Sequence, residues 1–350
     1  MRSLIGLRLW LALSFSLLLG GCGRPPLQQQ ESFVFGTRVE VLVADESPEK
    51  GRQAIAAVLR EFDRLHRAYH AWEPSELSRL NVALAAGQSA EVSPELAALI
   101  RQAQEITARG DGLFDPGIGR LIGLWGFQSD EFKPQLPDPA ALAAWRAARP
   151  GIADLQLDGL SASSRKRALA LDFGGYLKGV ALDRAAAMLK AAGIRNALIN
   201  LGGNILVLGD KYGSKWKVGI QHPRQPGPLA TIELADGEAI GTSGDYQRYF
   251  ELDGQRYCHL LDPRSGSPVA DTAAVTVLIN AAAGAEAGTR SDAYSKPIFV
   301  AGAAGWRQMA DKMGVGEVLR VGRDGRIQVT AALAARLQFI GDKPDIEVLP

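Results

Sequence analysis

Tyr249-Phe250-Glu251-Leu252-Asp253-Gly254-Gln255-Arg256-Tyr257-Cys258 decides how this chain folds. Asp253-Gly254 between two short aromatic and apolar runs is the strongest local signal for a β-hairpin. A hairpin means antiparallel pairing, so the sheets are not built only from strand–helix–strand crossovers. Upstream lies Gly241-Thr242-Ser243-Gly244-Asp245-Tyr246, and downstream His259-Leu260-Leu261-Asp262-Pro263-Arg264-Ser265-Gly266. Ser291-Asp292-Ala293-Tyr294-Ser295-Lys296-Pro297 closes the region. On the returning strand side chains alternate, which predicts Tyr257, His259 and Leu261 on one face and Cys258 on the other. His259 then reads either as a buried, hydrogen-bonded residue or as a site residue; spacing leaves both open. Cys258 and His259 point apart, so they form no local nucleophile–base pair, and Cys258 reads as a packed small hydrophobe.

Further from the hairpin, helical and strand signals mix without regular alternation. Residues 33–43 read as a strand interrupted by Gly36, and Ile55, Leu59, Phe62, Leu65 and Tyr69 trace a helix stripe whose polar face, Arg60, Asp63, Arg64 and Arg67, reads as solvated. Ser93-Pro94-Glu95 caps a second helix that ends at Gly110, and Asp138-Pro139 caps another. Residues 168–172 read as a strand running through Phe173-Gly174-Gly175-Tyr176-Leu177-Lys178-Gly179 into a helix. Strand, glycine-rich turn and helix start together make an anion-binding geometry, although the spacing is neither the dinucleotide fingerprint nor the P-loop. Strands are expected at 197–201, 205–208, 216–220, 230–234 and 275–279, and a second hairpin around Asp324-Gly325. The pattern favours an α+β fold with mixed and antiparallel sheets and packed helices.

Composition sets the outer limits. The 350 residues are 47% hydrophobic and 22% charged, with a formal net charge of +1; this is an ordinary globular balance. With no basic stripe, nothing points to nucleic acid, and the 7% of aromatics are too scattered to suggest stacking platforms. The N-terminus carries Arg2 and Arg8, a short apolar run over 9–19, and Gly20-Gly21-Cys22. That pattern is a lipoprotein signal over 1–21 with Cys22 as the lipidated residue, or an ordinary secretory signal with a chance Cys. Residues 22–30 read as a flexible tether and 31–350 as the working domain. With Cys22 lipidated, Cys258 has no partner and no disulfide is expected.

Taken together, several blocks resemble one family. They are Phe35-Gly36-Thr37, Ser75-Glu76-Leu77-Ser78-Arg79-Leu80-Asn81, Phe114-Asp115-Pro116-Gly117, and Asp172-x-Gly174-Gly175-x-x-Lys178-Gly179-x-x-x-Asp183. Asn200-Leu201-Gly202-Gly203-Asn204, Thr242-Ser243-Gly244-Asp245-Tyr246 and His259-x-x-Asp262-Pro263-Arg264-Ser265-Gly266 complete the set. In this order they resemble the FAD:protein FMN transferases, the ApbE family. The resemblance implies a T-fold-like architecture and an exported, lipid-anchored enzyme at the periplasmic face of a bacterial membrane. Such an enzyme moves FMN from FAD onto a Thr or Ser of an exported acceptor flavoprotein and releases AMP. It implies FAD binding around Phe35, Asp115, Pro116, Gly117, Asp172, Lys178 and Leu260, with His259 and Asp292 in catalysis. Thr242 belongs to one of the matched blocks and is counted with the FAD-binding residues; Arg264 is a candidate bidentate donor to a phosphate. It also implies Mg²⁺ held by the Gly175 carbonyl, by Asp292 and by groups one turn later.

One position departs from the family pattern. Where the family has a Thr that helps hold the metal, this chain has Lys296, and a protonated amine cannot ligate Mg²⁺. Either Lys296 supplies the positive charge itself, or Ser295 ligates in its place. A flavin-binding lipoprotein without catalysis, and an FAD pyrophosphatase, would carry the same binding residues.

Overall fold

The computed structural model describes residues 24–129, 131–341 and 345–350; the signal segment and Cys22 lie outside the described residues. Nine strands form one sheet whose spatial order is also their order along the chain. They are β1 (Gln28–Val34), β2 (Thr37–Ala44), β3 (Asn196–Leu201), β4 (Asn204–Leu208), β5 (Ala239–Gly244), β6 (Thr272–Ile279), β7 (Glu317–Gly322), β8 (Ile327–Thr330) and β9 (Ile346–Leu349). Every neighbouring pair is antiparallel except β8–β9. The α+β class, read from hairpin signals, is the class observed.

Period-two alternation divides the sheet into two cores. Val39, Val41, Ile199, Leu206, Val275 and Val277 face one side, where they meet the helices α1 (Pro48–Tyr69), α2 (Glu76–Ala86), α3 (Pro94–Arg109), α4 (Leu177–Ala191), α5 (Ala287–Val300) and α6 (Gly302–Met313). Leu198, Ile205, Val207, Ile240, Leu278 and Leu319 face the other side and pack on a small sheet of Trp216–Gln221, Pro228–Leu234 and Gln338–Phe339. Strand β6 is covered on both faces, so all eight of its residues are buried.

The Asp253-Gly254 hairpin forms as expected. Tyr249–Leu252 pairs with Gln255–Cys258, and both turn residues have positive φ, 52° and 74°. The strand stops at Cys258, one residue short of His259. Cys258 is a free, buried thiol that burial pushes up to about 11.

Several sequence readings need correction. Residues 33–43 are two strands, because Phe35 and Gly36 both turn into positive φ, 57° and 67°, and fold β1 back on β2. Gln28–Gln30, assigned to the tether, pair with Val41–Val43, so the sheet begins inside it. Residues 168–172 are not a strand but a buried connection with a single bridge from Ala170 to Ile118. Their polar backbone is satisfied elsewhere: the Asn81 side chain brackets Leu171, accepting from its N–H at 2.7 Å and donating to its carbonyl at 2.8 Å. The polar face of α1 is not merely solvated either. Arg64 spans Glu61 and Glu95 with four hydrogen bonds of 2.7–2.9 Å.

Helix α5 sets the geometry of everything near the site. It is buried along almost its whole length and lies against β5, β6 and α4. Contact this close is possible only at glycines. A Cβ on Gly241 of β5 would lie 2.4 Å from the Ser291 carbonyl oxygen, and one on Gly179 of α4 would lie 2.5 Å from that of Gly288.

Candidate active site

The expected glycine-rich turn starts α4 at Leu177, and Gly179 is one of the first four N–H groups that a helix cannot satisfy itself. The residue preceding α4, Tyr176, offers no side-chain cap. The missing acceptor comes from α5: Asp292 Oδ2 receives the Gly179 N–H at 2.9 Å. The converse holds at the start of α5, where Glu286 also offers no cap. Asp183 of α4 accepts there from Gly288 and Thr289 N–H at 2.7 and 2.8 Å. Each helix therefore caps the other, and burial pushes Asp183 up to about 6 against those hydrogen bonds.

Asp292 is fully buried, and its second oxygen pairs with the Lys296 ammonium one turn later. Lys296 Nζ also donates to the Asp292 carbonyl at 2.7 Å. Burial drives the Lys296 amine below its usual range, Asp292 pulls it back, and the positive charge of Lys178 pushes it down again. Ser295 Oγ donates to the same carbonyl at 2.7 Å and shares a 2.7 Å hydrogen bond with Ser243 Oγ on β5. Beside it, Thr242 Oγ1 bonds Thr276 Oγ1 at 2.9 Å. Strand β5 keeps its register with β4 only at Ala239 and Ile240, and beyond that point the Asn204 side chain takes over, accepting from Thr242 N–H at 3.3 Å.

His259 lies just past the hairpin. Its Nδ1 sits 3.1 Å from the Arg248 carbonyl and its own backbone N–H donates to the same oxygen at 3.0 Å. A carbonyl only accepts, so Nδ1 carries the proton and Nε2 presents a lone pair. Burial lowers the imidazole to about 3, helped by the charges of Arg248, Lys178 and Lys296 and opposed by the carbonyl hydrogen bond. The ring is the end of an aromatic ladder: Trp125, Tyr257, Phe250 and Phe127 follow at centroid spacings of 5.7, 5.2 and 5.8 Å, and Phe127 meets His259 edge-on at 6.4 Å. Aromatics that look scattered in the sequence are thus gathered by tertiary packing.

A second set of predicted residues forms a separate wall. The Phe35 ring meets His66 at 5.6 Å and His66 meets His70 at 5.0 Å. His70 Nδ1 accepts from the N–H groups of Trp72 and Glu73, and Trp72 Nε1 donates to Asp172 Oδ2 at 3.0 Å. Asp172 N–H donates to the Pro116 carbonyl, which links this wall to the 115–117 loop. Asp115 itself is turned inward: it accepts from Gly117 and Ile152 N–H at 2.7 and 2.8 Å, and burial pushes it up to about 6. Gly175 lies beside the Phe114 ring, and Leu260 is buried in the main core. Arg264 is engaged by Asp262 in a two-pronged ion pair, with an arm that is 60% exposed.

His259, Lys178, Lys296, Asp292, Ser295 and Ser243 are therefore held together, and Phe35, Trp72, Asp172 and Pro116 are held together as a wall. Trp72, which is 40% exposed, was not singled out from sequence; its aromatic position before the Ser75 capping box was the available signal. Asp245, which stands in a matched block without an assigned role, is buried and pairs with Arg224 through both oxygens at 2.6 and 2.7 Å, which fixes the end of β5.

The Asp292 and Ser295 oxygens expected to hold Mg²⁺ are already committed. Both Asp292 side-chain oxygens and its carbonyl are engaged, the Ser295 hydroxyl is engaged, and an ammonium sits among them. Among the described residues no three His, Cys, Asp or Glu side chains gather into a metal cluster. These residues do not fit a divalent cation.

The chain matches the model of the ApbE family over residues 35–319. It is 40% identical over 338 residues to the FAD:protein FMN transferase of Rhodobacter capsulatus, covering 95% of this chain and 64% of that protein's length. It is 33% identical over 282 residues to the FAD:protein FMN transferase of Vibrio cholerae, covering 78% of this chain and 83% of the other. The crystal structure of the ApbE protein from Thermotoga maritima superposes with a TM-score of 0.80 at 29% identity, over 89% of this chain and 99% of that one. This chain belongs to the ApbE family.

The His259 environment sets a pH expectation. The imidazole of the free protein stays neutral between pH 7 and pH 5, because its folded value lies near 3 and protonation begins only below that window. ¹⁵N NMR of the His259 ring would show no titration there; a midpoint near the ordinary 6.5 would contradict the burial argument.

Proposed function

We propose that this chain transfers the FMN moiety of FAD to a protein. The reaction joins an acceptor Thr or Ser hydroxyl to the flavin-side phosphorus of FAD and releases AMP. The hydroxyl oxygen attacks that phosphorus, the bond from phosphorus to the bridging oxygen breaks, and AMP departs with the bridging oxygen and its electron pair. The hydroxyl proton passes to His259 Nε2. Atoms and charge balance as FAD plus hydroxyl giving FMN ester, AMP and a proton.

The observation that carries this reading is a neutral imidazole whose Nε2 keeps its lone pair, near two lysines, in a chain of the ApbE family. A hydroxyl is a poor nucleophile until a base takes its proton. With a value near 3, His259 is always ready to accept a proton but is a weak base in the free protein. Bound pyrophosphate brings negative charge beside Lys178 and Lys296. That charge offsets the lysines and raises the basicity of His259, so substrate binding itself prepares the base. The lysines meet the phosphate charge, and the wall of Phe35, Trp72 and Asp172 offers an aromatic face to the bulky dinucleotide.

The basic start, the short apolar run and Gly20-Gly21-Cys22 support export and a lipid anchor on Cys22, and so an acceptor on the same side of the membrane. Replacing Cys22 with Ser should move the protein from the membrane to the soluble fraction; retention on the membrane would place the anchor elsewhere.

The test of the chemistry is an incubation of purified chain, FAD and an exported flavoprotein domain bearing a candidate Thr. The expected result is one AMP released per covalently yellow acceptor, with a His259→Gln variant slower by roughly 10²–10⁴-fold. AMP released with free FMN and no labelled acceptor would indicate hydrolysis and overturn the reading.

A further inference from the structure

We propose that the Lys296 ammonium is the resident cation of this site, standing where a divalent metal ion would be held and meeting the substrate's phosphate charge itself. The proposal rests on the FMN-transfer reading for the identity of the anion, and on geometry for the identity of the cation.

The geometry is an account of donors and acceptors. Lys296 lies one turn after Asp292 on a buried helix, and its side chain is only 13% exposed, so the charge is fixed in place. Two of its three N–H donors are used, one on the Asp292 carboxylate and one on the Asp292 carbonyl. The third remains for an anion. A metal ion at this point would need the same two oxygens, and it would have to sit against a positive charge. The neighbouring side-chain oxygens are committed as well: Asp292 Oδ2 caps Gly179, and the Ser295 hydroxyl is shared between Ser243 and the Asp292 carbonyl. Those bonds tie α5 to α4 and to β5, so recruiting the oxygens for a metal would loosen the packing that builds the site.

Lys178 adds a second positive charge at the start of α4, where the helix dipole favours an anion. Lys178 and Lys296 both lie close enough to the His259 ring for their charges to lower its basicity. A lysine is a compact point charge with freely oriented donors, suited to a phosphate oxygen and independent of metal supply. The class of ligand is therefore a pyrophosphate diester bound without a bridging metal.

The test uses the full chain, stripped of metal with EDTA, in three forms: parent, Lys296→Thr and Lys296→Met. Mn²⁺ titration followed by EPR measures metal binding directly, and quenching of FAD fluorescence shows that each form is folded and binds substrate. Lys296→Thr removes the charge, frees Asp292 Oδ1 and adds a hydroxyl acceptor. Lys296→Met keeps length and packing without the charge. The expected result is Mn²⁺ binding at least tenfold tighter in Lys296→Thr than in the parent. FMN transfer by the parent should continue in EDTA, transfer by Lys296→Thr should require added metal, and Lys296→Met should lose transfer in EDTA while still binding FAD. Parent protein that binds Mn²⁺ as tightly as Lys296→Thr, or that stops transferring in EDTA, would overturn the assignment. A parent that binds FAD but transfers nothing with or without metal would refute the FMN-transfer reading instead, and the Mn²⁺ titration would still decide the cation.

Discussion

The burial of one carboxylate organises this molecule. Asp292 has no contact with solvent, and a carboxylate out of water must have partners for both oxygens. One oxygen takes an N–H that α4 cannot satisfy itself, and the other takes the Lys296 ammonium. Asp183 returns the service at the start of α5. Two helices without caps of their own thus exchange caps in trans, and each cap is worth on the order of 1 kcal/mol. The exchange fixes the rotation and height of α5 on α4, and with them the positions of Ser295 and Lys296. Glycines at 179 and 241 are the condition for it, since a side chain at either would collide with the backbone of α5.

The His259 side depends on a different kind of order. His259 lies beyond the end of its strand, so the sheet ladder does not hold it. One carbonyl fixes its tautomer, and the aromatic ladder fixes its plane. Lys178 at the start of α4 and Lys296 in the second half of α5 both lie near that imidazole. The same low-dielectric surroundings that suppress protonation of His259 strengthen its response to a bound anion.

Local chemistry was legible in the sequence and tertiary exchange was not. Asp253-Gly254, Asp324-Gly325, Ser93-Pro94 and Asp138-Pro139 each state their structure within four residues, and each forms as read. Phe35-Gly36 was misread because a bulky residue at positive φ is strained; the turn holds only because β1 and β2 pair on both sides and the ring packs on Phe62 and His66. Residues 168–172 were misread because their hydrogen bonds go to a side chain ninety residues away. The same applies to the site. The motif blocks located Asp183 and Lys178, and the family resemblance pointed to Asp292, but the trans caps join residues 105 to 113 positions apart, and no periodicity encodes such a pairing. The Asp292–Lys296 pair is the local exception, because an i,i+4 spacing on a helix puts both side chains on one face.

The central claim is that Asp292 and Lys296 act as one buried unit, and a double-mutant cycle on stability tests it most directly. Urea unfolding would be measured for the parent, Asp292→Asn, Lys296→Met and the double variant. Asp292→Asn alone leaves an ammonium buried without its counter-charge and should cost about 3–5 kcal/mol. The account predicts that adding Lys296→Met to it restores a large part of that loss, with a coupling of about 1–3 kcal/mol. Two single losses that simply add in the double variant would contradict it, and would leave the two side chains as neighbours without a shared role.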